Sequence, residues 1–189
     1  LLLASGRPWP WTDESPTSST VRMWINKGHY SGTFIEVTEQ WNLHLDAYCT
    51  GMAVGDVDGD GDLDLFVAAV GEDMLLINEG SRSFRLQDSS SGVSGHKNSW
   101  STSAAFLDAD GDGDLDAVVA NYHQGNRVWI NDGLGNFADS TQALGNSLSR
   151  DVALGDLDGD GNMDLATADP NRRTSSVLLN AGGRRFRAP

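Results

Sequence analysis

Three nine-residue segments, DVDGDGDLD (Asp56 to Asp64), DADGDGDLD (Asp108 to Asp116) and DLDGDGNMD (Asp156 to Asp164), repeat one arrangement at spacings of 52 and 48 residues. Each keeps Asp at positions 1, 3, 5 and 9, Gly at position 6 and an apolar residue at position 8. Carboxylates about 4–5 Å apart repel by roughly 3–4 kcal/mol per pair at an effective dielectric near 20. A turn-forming Asp/Gly composition alone accounts for single acidic turns, but not for a register kept three times. Whatever fold the chain adopts must bring these carboxylates together in a neutralised form, three times over.

The segments also hold the charge of the molecule. They contain 14 of the 27 Asp and Glu, and the remaining 13 acids equal the 13 Lys and Arg, so the net charge of −14 resides in three loops. No basic stripe exists for nucleic acid. No apolar run approaches the ~18–20 residues of a membrane span, which excludes insertion by a helix. The single Cys49 provides no disulfide framework and reads as a small buried residue. LLLASG at the start is too short for a signal-peptide core and lacks a basic lead.

A period near 50 residues predicts a repeat architecture. A second element recurs between the acidic segments: apolar runs end at Asn26, Asn78, Asn131 and Asn180, each two residues before a Gly, with a Phe soon after. N-x-G between apolar runs predicts a tight hairpin, because Asn and Gly tolerate positive φ. Each full unit therefore reads as four strands, for example GMAVG, DLFVAAV, MLLIN and SFRLQ, with the acidic loop joining the first two. DLFVAAV is apolar on both faces, as are AVVA and LATA, so these strands belong to sheets covered on both sides. The expected fold class is all-β, with β-propeller blades of four antiparallel strands stacked about an axis. A two-sheet sandwich is the alternative, and it predicts cleaner in/out alternation. First strands rich in small residues (Ala53, Gly55; Ala104, Ala105; Ala153, Gly155) suit the crowded centre of a ring. The expected units are 1–40 (a partial blade with a Pro/Trp-containing insertion), 41–90, 91–141 and 142–189.

Alternate carboxylates converging on one point, with a Gly letting the chain double back, form a hard-oxygen site suited to Ca²⁺, which takes 6–8 oxygens. Mg²⁺ demands stricter octahedral geometry. Zinc wants His or Cys, and no His lies in the loops. The opening D-x-D-x-D-G matches an EF-hand, but position 12 holds Val67, Val119 and Thr167 instead of a bidentate Glu. The flanks are also strands, so that reading fails.

DVDGDGDLDLFVA, DADGDGDLDAVVA and DLDGDGNMDLATA, with their NxG…F hairpins, resemble the FG-GAP/VCBS repeats of integrin-α-type β-propellers over nearly the whole chain. Residues 39–64 and 100–116 are also similar to propellers of cartilage-acidic-protein type, and residues 126–161 to VCBS repeats of large bacterial surface proteins. The resemblance implies three calcium sites. Their side-chain ligands are Asp56, Asp58, Asp60 and Asp64; Asp108, Asp110, Asp112 and Asp116; and Asp156, Asp158, Asp160 and Asp164. The carbonyls of Asp62, Asp114 and Asn162 complete them, and a backbone ligand explains why Asn162 is tolerated. The first unit lacks an acidic loop: LLLASG aligns with the second strand of a blade, and RPWPWTDESPTSST then intervenes. Trp9 and Trp11 in that insertion offer either a sugar-stacking platform or a cover for a blade face. Fifteen strands are expected, incomplete as a ring or part of a larger, about seven-bladed propeller. A free edge and an uncovered last blade predict that the chain is not an isolated monomer.

His29, His44, His96 and His123 are scattered without a nucleophile signature, so no enzyme is expected. The expected function is that of a calcium-binding, non-catalytic propeller segment of a secreted or cell-surface protein serving adhesion, matrix or self-assembly. A protein partner or a second copy is its expected partner. The alternative is a glycan-binding lectin propeller, using exposed aromatics such as Trp9, Trp11 or Tyr122.

Overall fold

The computed structural model describes residues 2–4, 21–28, 32–87, 92–95, 97–142, 144–145, 148–169, 175–183 and 185–188. The insertion at residues 7–20, with Trp9 and Trp11, lies outside the described residues, as do His29 and His96. Among the described residues are fifteen strands, one 3₁₀ turn (Glu39–Trp41) and no α-helix.

The strands form four antiparallel meanders in chain order. The first has three strands, β1 (Leu2–Ala4), β2 (Val21–Asn26) and β3 (Phe34–Glu36). The second has β4 (Tyr48–Gly55), β5 (Asp64–Val70), β6 (Met74–Asn78) and β7 (Phe84–Leu86). The third has β8 (Ser101–Leu107), β9 (Asp116–Asn121), β10 (Arg127–Asn131) and β11 (Phe137–Asp139). The fourth has β12 (Asp151–Gly155), β13 (Asp164–Ala168), β14 (Ser176–Asn180) and β15 (Phe186–Arg187). The first strand of the third blade packs against the first strands of both neighbours, which is propeller stacking, and the four sheets do not close into a ring.

The sheets stack because their second strands are apolar on both faces. Leu65 and Val67 of β5 face the first blade, where they join Val21, Leu43, Leu45, Cys49, Leu76 and Phe84 in one core. Phe66 and Ala68 point the other way and meet Ala104, Ala117, Val119, Trp129 and Phe137. Val118 of β9 turns to the fourth blade and packs with Val128, Ile130, Leu144, Leu165 and Phe186. The described residues thus form three cores, one per seam. Phe66 is fully buried, and truncating such a residue to Ala costs roughly 3–5 kcal/mol.

The crowded centre expected of small residues is seen at Gly51. A Cβ there would lie 3.0 Å from the Ser103 Cα and 3.1 Å from the Thr102 carbonyl oxygen of the neighbouring first strand. Any side chain there would force the neighbouring strand to give by a few tenths of an ångström. The same strands carry a β-bulge, with register slips between Cys49 and Gly51 and between Ser101 and Ser103. The extra residues are Thr50 and Thr102. The Thr50 hydroxyl lies 3.0 Å from the Ala68 carbonyl of its own blade and 2.6 Å from the Ser101 carbonyl of the next. Thr102 repeats this with Ala120 (3.2 Å) and Ser149 (2.9 Å).

One expectation about the hairpins needs correction. The glycines of N-x-G do take positive φ (Gly28, Gly80, Gly133, Gly182), but the asparagines do not. Each Asn instead accepts the Gly N–H two residues on (for Asn131, the Gly135 N–H four on) through its side-chain oxygen. Its amide nitrogen is then free to reach a neighbouring loop.

A buried acid lies between the second and third blades. Asp73 Oδ1 accepts the Ala69 N–H (2.9 Å), and Ser101 Oγ lies 2.8 Å from Asp73 Oδ2 and 3.1 Å from Asn121 Oδ1. One hydroxyl hydrogen cannot serve both oxygens, so a protonated Asp73, donating to Ser101, satisfies the whole group. Burial pushes this carboxyl up to about 7, against the lowering effect of its hydrogen bonds with the Ala69 N–H and the Ser101 hydroxyl. In the next blade the same place holds Asn126, which accepts the Asn121 N–H (3.0 Å) and donates to Ser149 Oγ (2.9 Å). The folded chain therefore binds a proton at Asp73 that the unfolded chain, with its ordinary carboxyl near 3.8, releases earlier. Stability from this group is full below about pH 4 and is lost as pH rises to about 7, with a slope of at most ~1.4 kcal/mol per pH unit. Asp73→Asn is expected to remove that slope and to be more stable than wild type at pH 8, measured by urea unfolding at pH 5 and pH 8. Equal slopes in the two proteins would contradict the assignment.

Candidate metal centres

The three acidic loops fold alike because their own carboxylates take up their backbone amides. At position 1, Asp56 accepts the Gly59 and Gly61 N–H groups at 2.9 and 3.0 Å. Asp108 does so with Gly111 and Gly113, and Asp156 with Gly159 and Gly161. Both glycines of every loop lie at φ between 74° and 97°, where a Cβ is disfavoured. The position-4 glycine is therefore as necessary as the position-6 one on which the sequence reading rested.

Position 9 is the fixed point. Asp64 is fully buried; its Oδ2 accepts the Val57 N–H (2.9 Å) and its Oδ1 the Asn78 N–H (2.8 Å). Asp116 binds Ala109 and Asn131, and Asp164 binds Leu157 and Asn180, all between 2.7 and 2.8 Å. Each of these carboxylates ties the start of its loop to the end of the third strand. Burial raises the Asp64 carboxyl, and it raises that of Asp116 to about 6, in both cases against two lowering amide bonds. Asp58 is also raised, by burial first and then by its neighbours Asp60 and Asp56.

Positions 1, 3 and 9 meet. One oxygen each of Asp56, Asp58 and Asp64 lies within 4.8 Å of the others, and the same holds for Asp108, Asp110 and Asp116 and for Asp156, Asp158 and Asp164. Oxygens on opposite sides of a Ca²⁺ at ~2.4 Å are about 4.8 Å apart, so the spacing fits that ion, and a cation there would favour the charged carboxylates. Positions 5 and 7 lie outside these groups. Oδ1 of Asp60, Asp112 and Asp160 accepts the N–H of Asp62, Asp114 and Asn162. The Asp62 and Asp114 side chains turn toward the hairpin glycines Gly80 and Gly133 of their own blades, not toward the cluster.

A tie between blades was not read from the sequence. Asn131 Nδ2 donates to the Val57 carbonyl, at position 2 of the preceding blade's loop, at 2.7 Å, and to its own Leu115 carbonyl at 3.1 Å. Asn180 Nδ2 likewise donates to Ala109 of the third blade at 3.2 Å. The recurrent Asn was visible in the sequence; its second use, across 74 and 71 residues, was not.

These loops and blades define a family. The FG-GAP-like repeat model matches residues 11–67, 56–119 and 108–167, each match reaching through an acidic loop. The chain belongs to the FG-GAP-like repeat family. Among curated protein sequences none matches it. Among solved structures it is similar to a lectin of Agrocybe aegerita, described as specifically recognising non-reducing terminal N-acetylglucosamine. The two share 20% identity and a TM-score of 0.52, over 90% of this chain and 46% of the lectin chain. The chain therefore spans about half the length of that protein, and at this identity the likeness concerns the fold.

Three substitutions separate the roles of the loop carboxylates. Asp64→Asn turns an amide NH₂ toward a backbone N–H in a buried place, so it is expected to lower stability by ~1–3 kcal/mol even in chelator. Asp58→Asn is expected to weaken calcium binding and leave the calcium-free melt unchanged or slightly raised. Asp62→Asn is expected to change neither, since Asn162 occupies the same place in the third loop. Calcium titrations paired with thermal melts check all three; equal effects of Asp62→Asn and Asp64→Asn would contradict this geometry.

Proposed function

We propose that the chain is a calcium-binding, non-catalytic propeller segment of a secreted or cell-surface protein, serving adhesion, matrix or self-assembly. The observation that carries this reading is the threefold recurrence of one carboxylate cluster at a spacing suited to Ca²⁺. The ion would be held by positions 1, 3 and 9, with positions 5 and 7 completing its shell, and would supply the positive charge that lets the loop carboxylates stay ionised. Its role is structural: it locks a loop whose position-2 carbonyl receives the neighbouring blade. Sites in extracellular modules bind at ~10⁻⁴–10⁻³ M, which suits a calcium-rich exterior. At calcium about ten times the dissociation constant each site adds ~1.4 kcal/mol, and three add about 4 kcal/mol, a large fraction of the stability of a domain of this size. The thermal midpoint is expected to fall clearly on chelation and to return with calcium. A midpoint indifferent to chelator would remove this reading.

Association belongs to the same proposal. The outward side of the fourth blade leaves Leu157 and Val177 at 56% and 36% exposure. The equivalents Val57 and Ala109 at the two inner seams are 1% exposed. A further blade, of the same polypeptide or of a second copy, would cover these residues by the contacts those seams already use. Light scattering of the 189-residue chain in calcium is expected to show species larger than one chain; a monodisperse monomer would contradict it. The glycan-binding reading is favoured by one observation, a concavity lined by Tyr48, Trp100 and Arg150.

A further inference from the structure

At the end of the inner strands remote from the acidic loops, Tyr48, Cys49, Thr50, Trp100, Thr102 and Arg150 line a concavity of about 350 Å³. Thr50, its lining residue nearest the loop along β4, is five residue steps or about 16 Å from the strand's end at Gly55, so the concavity is not part of a metal centre. Three blades contribute equivalent positions to it. Gly51, Ser103 and Asp151 pair with Ala68, Ala120 and Ala168, which occupy one place in the repeat. The preceding residues Thr50, Thr102 and Arg150 are therefore counterparts, as are Tyr48 and Trp100 two positions earlier.

Arg150 breaks the repeat. The Thr50 and Thr102 hydroxyls lie against carbonyls of their own and the next blade, and among the described residues the Arg150 side chain makes no hydrogen bond of that kind. Its guanidinium carbon instead lies 4.9 Å from the centre of the Tyr122 ring. Tyr122 meets Trp100 edge to face with ring centres 5.0 Å apart. Arg22, Arg85 and Arg127 each lie against a carboxylate. Among the described residues Arg150 has no such ion pair, and the adjacent Asp151 is engaged by the Ser103 hydroxyl and the Val152 N–H. Trp100 is 45% exposed, yet its backbone is fixed by a bridge to Val70 and by the Tyr122 N–H on its carbonyl (2.8 Å). A rigidly mounted, exposed indole beside an unpaired, oriented guanidinium is a recognition arrangement, since neither side chain contributes to a core.

We propose that this concavity binds one carboxylated sugar ring, a uronate or sialate residue. Its carboxylate sits on Arg150, its C–H face on Trp100, and its hydroxyls within reach of the Tyr48 phenol. A guanidinium matches a carboxylate with two parallel hydrogen bonds, and the volume suits a single ring. The net charge of −14 disfavours polyanions such as acidic peptides, whereas one carboxylate on an otherwise neutral ring meets one local cation. This rests on the binding-module reading but not on the metal loops.

The test uses the whole chain in excess calcium. D-glucuronic acid and N-acetylneuraminic acid are compared with glucose and N-acetylglucosamine by saturation-transfer NMR and calorimetry. Both acids, or one of them, are expected to bind about tenfold or more tightly than the neutral sugars, and the comparison of the two acids identifies the ring. Arg150→Gln is expected to reduce the preference to less than about twofold with the calcium titration and melting midpoint unchanged. Trp100→Ala is expected to abolish binding of every sugar. Because Trp100→Ala also removes a contact to Tyr122, Trp100→Phe serves beside it and is expected to retain part of the affinity. Absence of binding, equal binding of neutral sugars, a preference surviving Arg150→Gln, or equal displacement by an acidic hexapeptide would each overturn the proposal. Intact calcium-dependent melts in the same samples would confine that failure to the sugar site.

Discussion

The fold depends on a carboxylate that is buried where its charge is costly. Asp64, Asp116 and Asp164 are each fully inaccessible, and each holds two backbone amides, one 7 residues before it and one 14 to 16 residues after it. An unpaired N–H in such a place would cost about 1–3 kcal/mol, so each aspartate removes two penalties while incurring its own desolvation. The acidic loop, the third strand and the hairpin that follows are positioned from that one residue. Position 1 then gathers the loop glycines, and the mouth of the loop presents its carboxylates to whatever cation approaches. Metal binding and blade geometry share one device.

The blades were legible because their signals are local. Apolar-on-both-faces strands such as Leu65–Ala69 and the N-x-G hairpins carry their geometry within a few residues. The order of strands follows from a meander with short connections. In the site, the convergence of Asp56, Asp58 and Asp64 was readable from spacing, since alternate side chains in a doubled-back loop face inward. The double amide bond of position 9 was not, because it requires knowing that the third strand ends against the loop. Nor was the Asn131–Val57 contact, whose partners lie 74 residues apart in different blades. Long-range partnerships of polar side chains leave no periodicity in a sequence.

Two departures from the repeat are informative for the same reason. Asp73 stands where the next blade has Asn126, and Arg150 stands where earlier blades have threonine. In both cases the surrounding hydrogen bonds define what the ordinary occupant does, so the exception can be assigned a consequence. For Asp73 the consequence is a proton held within a seam; for Arg150 it is a cation released from structural duty at the mouth of a concavity. Neither residue is conspicuous in the sequence, where the 27 acids and 13 bases mask single substitutions.

The amide of Asn131 on the carbonyl of Val57, repeated by Asn180 on Ala109, means that the second–third and third–fourth seams are made from the same two halves. The third blade carries both, a donor on one side and an acceptor on the other, whereas Asn78 of the second blade donates to Leu63 of its own loop. A duplicated or deleted unit of the third blade's kind therefore brings its own matching joint, and the chain length of such an array can drift by whole blades without any seam being redesigned. The carbonyl half of the joint lies within the acidic loop itself, so the ordering of one loop is felt first by its successor. The array has a grain, running from earlier blades to later ones, much as a zipper closes tooth by tooth from a fixed end.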